Sequence, residues 1–253
     1  MRILTICRFT LLVVLAMAVF SCSEKKEEYV AAEPVSDYLP LQVGKYITYR
    51  VDSLVPNAFN TSLETHSYQV KHVVDAEITD NLGRPSYRVF RYHNDITASG
   101  SWVPEGTYFI TPLTNEVEVV ENNLRIIKLR NPMREGFSWR GNSYLPPDPF
   151  PYNFSVDNSI GSWDYTYDLF EPSTAINGET YNDVWTVEQI NEDKNDPVLY
   201  PHEYANRLRS VEKYSKNIGL VYRQLILWEY ETTTAINPSY TGFGITMWMI
   251  DHN

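Results

Sequence analysis

The sequence predicts a mainly β protein, a single antiparallel β domain of about ten strands that forms an open barrel or two packed sheets. The first observation is composition: 19 Tyr, 10 Phe and 6 Trp stand against only 11 Gly, and aromatic side chains suit the half-buried face of a strand. The second is the alternation of apolar and polar residues along most of the chain, which turns one face toward a core. The domain is expected to occupy residues 38–253.

Strand patterns recur through the first half of the chain. They fall at residues 45–51, 67–78, 86–92, 117–119 and 124–129. The clearest is the second, in which Tyr68, Val70 and Ile78 share one face and polar residues occupy the other. The turn residues 80–83 then connect it to the third strand, so the pair is predicted to form a hairpin.

The alternation stops between about residues 141 and 161, where four prolines fall within residues 144–152. Proline cannot donate a ladder hydrogen bond, so this segment is predicted to be a stiff loop. Strand patterns resume after it, at residues 163–170, 184–190, 220–230 and 245–250. The apolar run that contains Leu225 and Leu227 predicts a central strand covered on both faces, with these two leucines on one buried face. Residues 202–214 fit a helix face and a strand face equally well.

The N-terminus has the pattern of a lipoprotein signal peptide at residues 1–21. Arg2 and Arg8 supply a basic start, an apolar run follows from Phe9 to Phe20, and Ser21-Cys22 comes directly after it. The run is shorter than the roughly 20 apolar residues that a membrane helix needs. It resembles the bacterial lipobox, in which cysteine becomes the acylated first residue, although Phe20 departs from the commonest form. The resemblance implies removal of the leader and acylation of Cys22, for example with palmitate.

Residues 22–37 are polar and poor in structure-forming patterns, which predicts a flexible tether. The acidic residues directly after Cys22 resemble the surface-export signal of Bacteroidota lipoproteins. The expected location is therefore the outer membrane, with a lipid anchor and exposure at the cell surface. Since Cys7 would leave with the leader and Cys22 would be acylated, no disulfide is expected in the mature chain.

The charge of the chain restricts its partners. The formal net charge is −11. Loss of the leader would remove two arginines and no acid and so make the mature chain more negative. Such a surface repels nucleic acid and anionic lipid, so neither is expected as an electrostatic partner. The only predicted contact with a membrane is the lipid anchor.

Three short motifs, at residues 39–46, 139–142 and 212–222, are similar to those of a group of uncharacterised Bacteroidota lipoproteins. The first contains the Pro-Leu-x-Val-Gly element with which those proteins open, and the last contains their closing Gly-Leu-Val element. Ser215 and Asn217 replace the small residue and the glycine that the closing element usually carries. The resemblance implies a β-rich envelope lipoprotein and no particular activity.

The candidate ligand-binding residues are aromatic and surround the irregular middle of the chain: Trp139, Tyr144, Tyr152 and Trp163. Glycans and apolar ligands both dock on aromatic faces, and a proline-stiffened loop presents such faces with little loss of entropy. Ordinary packing in an aromatic-rich β protein is the alternative interpretation.

No catalytic residue, metal site or cofactor is expected. His66, His72 and His93 fall near one another in the predicted hairpin, but the cysteines and closely spaced histidines typical of a metal site are missing. Glu116 and Glu118 share a strand face about 7 Å apart, which an exposed hairpin edge explains.

The sequence therefore predicts a membrane-anchored envelope module that binds or assembles rather than catalyses, with a glycan, an apolar ligand or an envelope protein as partner. A surface glycan hydrolase is the alternative. A continuous apolar cavity would favour a carrier of hydrophobic ligands, and a pair of inward-facing carboxylates in a cleft would favour the hydrolase.

Overall fold

The structure is a computed structural model that describes residues 33–150, 160–233 and 236–253. These residues form twelve strands and two short 3-10 helices, Val35–Tyr38 and Ile160–Ser162. No helix in these ranges is long and apolar enough to cross a membrane. The strands are β1 (Tyr46–Pro56), β2 (Leu63–Thr79), β3 (Pro85–Asp95), β4 (Val103–Pro112), β5 (Glu116–Glu121), β6 (Leu124–Arg130), β7 (Ser138–Trp139), β8 (Tyr165–Ile176), β9 (Glu179–Lys194), β10 (Ala205–Ser215), β11 (Gly219–Thr233) and β12 (Ile236–His252).

All twelve strands of the described chain belong to one antiparallel sheet with the order β6-β5-β4-β3-β2-β1-β12-β11-β10-β9-β8-β7. Each half of the chain is thus a meander of sequential hairpins. The first and last strands join the two meanders, with Tyr49 opposite Met249 and Val51 opposite Met247. The centre of the sheet therefore depends on a pairing between the two ends of the domain.

The two free edges of the sheet, β6 and β7, approach each other. The Ile127 amide donates to the Gly141 carbonyl at 2.8 Å, and Trp139 Nε1 donates to the Ile127 carbonyl at 2.9 Å. One strand further on, the Tyr167 hydroxyl donates to the Arg130 carbonyl at 2.9 Å. These bonds make the sheet a nearly closed barrel. The predicted fold class is confirmed, and the barrel is the correct one of its two alternatives.

The predicted strand patterns all fall on strands of the barrel, but β4 and β7 were not predicted. Pro104, Gly106 and Pro112 interrupt the pattern of β4, since proline and glycine rarely occur inside strands. Strand β7 contains only two residues, too few for any periodicity.

The ambiguous segment at residues 202–214 contains strand β10, so the helix interpretation is wrong. The buried residues Leu208, Val211 and Tyr214 recur every third position, as on a helix face. The register shifts once against β9 and once against β11, but the extra residue of each shift is Gln189 of β9 or Val221 of β11, so β10 keeps its own alternation. Glu212 and Tyr214 both line the cavity and Val211 does not. The spacing resembles a helix because Val211 is buried as well.

Burial in β11 alternates along the strand. Leu225 and Leu227 are both buried, which confirms that they share an inward face. Ile226 and Trp228, on the other face, are only half-buried, so the prediction of a strand covered on both faces is wrong. In a barrel one face of every strand points inward, and the unbroken apolar run conceals that asymmetry.

The packed domain begins before the expected boundary at residue 38. Val35 and Tyr38, in the first 3-10 helix, are almost completely buried in the core. The Asn217 amide donates to the Asp37 carbonyl at 2.6 Å and fixes this helix to the β10–β11 turn. Residues 35–37, the last of the segment expected to be a tether, therefore pack against the barrel with Tyr38. Val35 and Tyr38 bury apolar surface there.

Candidate ligand-binding site

The barrel encloses a partly open cavity of about 390 Å³. Side chains from β1–β6 and β10–β12 form its wall. It extends from Leu39, Pro40 and Leu41, which follow the first 3-10 helix, to Asn122 in the β5–β6 turn at the other end of the barrel. Its volume lies within the range of about 300–1,000 Å³ that is typical of small-molecule sites.

Most of the cavity wall is apolar because inward positions alternate with outward ones along each strand. Representative side chains are Val51, Val70, Ile110, Leu225, Ile245 and Met247. Such a wall gains free energy when it covers apolar surface of a ligand and releases water. The cavity therefore favours ligands with a substantial apolar part.

A cluster of charged side chains interrupts this wall. Glu212 of β10 is only 3% exposed, and its Oε1 lies 2.6 Å from Lys128 Nζ and 3.5 Å from Arg223 Nε. The Tyr214 hydroxyl donates to Glu212 Oε2 at 2.8 Å. Lys128 belongs to β6, which is not a neighbour of β10 in the sheet, so this ion pair spans the interior of the barrel. Arg223 stands opposite Glu212 on β11.

The cluster keeps Glu212 ionised. Burial alone would raise the pKa of its carboxyl, but the charges of Lys128 and Arg223 and the hydrogen bond from Tyr214 outweigh it and hold the pKa below its ordinary value. Burial likewise opposes the charge of Arg223, and Glu212 raises its pKa nevertheless. One carboxylate thus faces two cations inside the barrel.

A second polar group lies on the β2–β4 side of the cavity. The Tyr108 hydroxyl and His72 Nδ1 are 2.9 Å apart and share a hydrogen bond, and the Tyr49 ring lies 5.2 Å from the imidazole. Burial, together with the positive charges of Arg91 and Arg223, lowers the pKa of His72 to about 3. His72 is therefore neutral at physiological pH and adds polarity to the cavity without adding charge.

The residues predicted to bind a ligand lie elsewhere. Trp139 and Trp163 are 4% and 9% exposed and pack in two separate core clusters. Tyr144 is exposed, with the Arg125 guanidinium 5.6 Å from its ring centroid, and Tyr152 lies outside the described residues. Of the three described side chains, none lines the cavity. Packing therefore accounts for both tryptophans.

Sequence reasoning missed Lys128, Glu212 and Arg223. A signal for two of them was present, since Lys128 continues the alternation of Leu124 and Ile126, and Arg223 stands two residues before Leu225 on the inward face of β11. A charge at an inward position of an otherwise apolar strand face marks a functional candidate, because burying it is costly unless a partner compensates.

The carboxylates considered for hydrolysis are ion-paired. Glu118 is buried, and its Oε2 lies 2.7 Å from Arg84 Nη2 and 3.0 Å from Arg125 Nη1. Glu116 lies 3.4 Å from Arg130 Nε. Glu118 of β5 therefore pairs with Arg84, from the β2–β3 turn, and with Arg125 of β6. Across the described ranges, no group of three or more His, Cys, Asp and Glu side chains is placed to hold a metal ion.

Comparison with known proteins gives several similar solved structures, among them one from Bacteroides fragilis and one from Vibrio parahaemolyticus. No protein-family model and no curated protein sequence matches the chain. A Bacteroides fragilis protein with a YmcC-like fold, assigned as exported, aligns over 84% of this chain and 98% of its own, with 11% identity and a TM-score of 0.34. A domain from Vibrio parahaemolyticus, assigned as an outer membrane lipoprotein-sorting protein, aligns over 83% and 85%, with 13% identity and a TM-score of 0.19. Likenesses this distant say nothing about the ligand of this chain.

Proposed function

We propose that the protein is a lipid-anchored envelope module that binds a small molecule with a large apolar part inside its barrel, without catalysing a reaction. The observation that carries this proposal is the 390 Å³ cavity with its mainly apolar wall. Barrels of modest size commonly hold one small ligand in this way.

Binding is favoured over hydrolysis by the state of the acidic side chains. The three carboxylates that line the cavity, Glu105, Glu121 and Glu212, each contact an arginine or a lysine. A hydrolase of glycans needs one carboxyl group with a raised pKa and a second at a defined distance across the scissile bond. The pKa of Glu212 is instead held low by its neighbours, which suits an electrostatic role.

Filling the cavity is expected to abolish ligand binding. Ile245 lines the cavity, and Ile245→Trp adds an indole to that space. The neutral fluorophore N-phenyl-1-naphthylamine serves as the probe, and its fluorescence rises when it enters an apolar site. We expect Ile245→Trp to weaken binding of the probe by tenfold or more, because the indole takes the volume that the probe needs.

The matched control for this substitution lies on the same strand. Ile250 is 42% exposed, so Ile250→Trp adds the same indole outside the cavity and is expected to leave the affinity unchanged. Equal binding by the wild type and Ile245→Trp, or saturable binding by neither, would contradict the proposed function.

The anchor is proposed to be the acylated Cys22, which lies outside the described residues. Each buried methylene of an acyl chain contributes about 0.8 kcal/mol, so several chains hold a protein to a membrane durably. Cys22→Ala is expected to move the protein from the membrane fraction to the soluble fraction of its host. Sedimentation of Cys22→Ala with membranes after a high-salt wash would show that another part of the chain binds lipid.

A further inference from the structure

Arg223 has unused hydrogen-bonding capacity. A guanidinium carries five N–H donors, and the one contact of Arg223 with an acid is that of Nε with Glu212 at 3.5 Å. Both Glu212 oxygens already accept shorter bonds, from Lys128 at 2.6 Å and Tyr214 at 2.8 Å. Among the described residues, no hydrogen-bond partner is present for the two terminal nitrogens of Arg223.

These free donors face the cavity. Arg223 lines it together with its cross-strand partner Met247, and the side chain is 27% exposed. Arg91, the other arginine of the cavity wall, is different, because its Nε lies 2.9 Å from Glu105 and its Nη1 contacts Glu121. Arg91 is therefore compensated by acids of the protein, whereas Arg223 shares a single carboxylate with Lys128.

The cluster is suited to bind an anion. Lys128 and Arg223 share the one carboxylate in contact with them, that of Glu212, whereas Glu105 and Glu121, the other acids of the cavity wall, contact Arg91. The N–H groups of Arg223 without a partner are costly to bury, and an anion supplies that partner. The fork of a guanidinium matches the two oxygens of a carboxylate or a phosphate.

We propose that the ligand is a single-chain amphiphile whose carboxylate or phosphate head binds Arg223 and Lys128, while its chain lies against Val70, Leu225 and Ile245. This inference rests on the proposed function and names its ligand class. The head accepts the hydrogen bonds that Arg223 has left to donate, and the apolar wall covers the chain. A neutral head accepts weaker hydrogen bonds from the guanidinium, and a cationic head is repelled by it.

Four dodecyl compounds that differ only in the head group test the inference: dodecanoate, dodecyl phosphate, dodecanol and dodecyltrimethylammonium. Each is titrated below its micellar concentration against the protein loaded with N-phenyl-1-naphthylamine, and displacement of the probe is measured. We expect at least one anion to bind tenfold or more tightly than dodecanol, and the cation to bind most weakly. Whichever anion binds more tightly identifies the head group.

Arg223→Met is expected to remove the preference for anions, measured as the ratio of the affinity for the anion to the affinity for dodecanol. The matched control is Arg207→Met, because Arg207 is 29% exposed and pairs with Asp193 at 3.6 Å, away from the cavity. This control is expected to retain the full preference. A preference that survives in Arg223→Met would overturn the assignment of the head group to this side chain.

The titration of the four compounds against the wild type does not depend on whether a variant folds. Its outcomes also distinguish a failure of this inference from a failure of the proposed function. Equal affinities for dodecanol and both anions would overturn the inference about the head group and leave the proposed function intact. Failure of the probe and all four compounds to bind would overturn the proposed function itself.

Discussion

Glu212→Gln is expected to lower the free energy of unfolding by about 3–5 kcal/mol, the usual cost of removing one partner from a buried ion pair. Among the residues that the structure describes, Glu212 is the one acid that contacts both Lys128 and Arg223. Glutamine has nearly the same shape but no charge, so the substitution leaves two cations facing each other inside the barrel. Urea unfolding at pH 7, followed by tryptophan fluorescence, measures the loss.

The control for this substitution is Glu192→Gln. Glu192 is exposed on β9, so its replacement is expected to change the free energy of unfolding by no more than about 0.5 kcal/mol. A Glu212→Gln variant as stable as this control would show that the carboxylate contributes nothing to the balance of the cluster.

The difference in stability between the wild type and Glu212→Gln is also expected to depend on pH. The pKa of Glu212 in the folded protein lies below its ordinary value, so the carboxylate stabilises the fold above the ordinary glutamate pKa of about 4.3. That contribution is lost as the pH falls through the lower, folded pKa. The stability difference between the wild type and Glu212→Gln should therefore shrink below pH 4.3. A constant difference down to pH 3 would contradict the electrostatic explanation.

The strands were predictable where local alternation survives. In β2, the inward residues Tyr68 and Val70 follow one another at a period of two, and the structure places both on the cavity wall. In β10, Val211 is buried as well as Leu208 and Tyr214. The burial of Val211 depends on the folded barrel and so on residues distant in sequence, and the local pattern of β10 could therefore not distinguish strand from helix.

The candidate site was harder to predict than the fold. Lys128 and Glu212 are 84 positions apart in the sequence, and only closure of the barrel brings them together. Trp139 and Trp163 have the chemistry of a ligand platform, and both are buried in core clusters. Composition cannot separate those two uses, since both depend on burial of the same ring face.

The segment that precedes β1 contacts both the cavity and the β10–β11 turn. Leu39 and Leu41 line the cavity directly after the first 3-10 helix, and Glu33, just before that helix, pairs with Lys216 at 2.7 Å. Residues 33–41 therefore lie at the end of the barrel that holds the β10–β11 turn. The β5–β6 turn lies at the opposite end.

Leu227→Ala is expected to lower the free energy of unfolding by about 2–5 kcal/mol, the sum of lost burial and the cost of the space left behind. Leu227 is fully buried in β11 and packs in a cluster that includes Trp163 and Leu208. It is not among the residues that line the ligand cavity, although its cluster neighbours Leu225 and Phe243 are, so the substitution opens a void behind the cavity wall. Urea unfolding should show a lower midpoint with an unchanged slope.

Leu169→Ala is the control. Leu169 of β8 is 45% exposed, so this substitution makes the same change of side chain at the surface. Its effect is expected to be well below that of Leu227→Ala, since truncation there leaves no enclosed void. Binding of N-phenyl-1-naphthylamine should persist in Leu227→Ala under native conditions, because the ligand cavity keeps its wall. An unchanged unfolding midpoint would show that this part of β11 does not belong to the core. Loss of the probe with an unchanged midpoint would instead show that Leu227 acts on the ligand cavity and that the two regions are one.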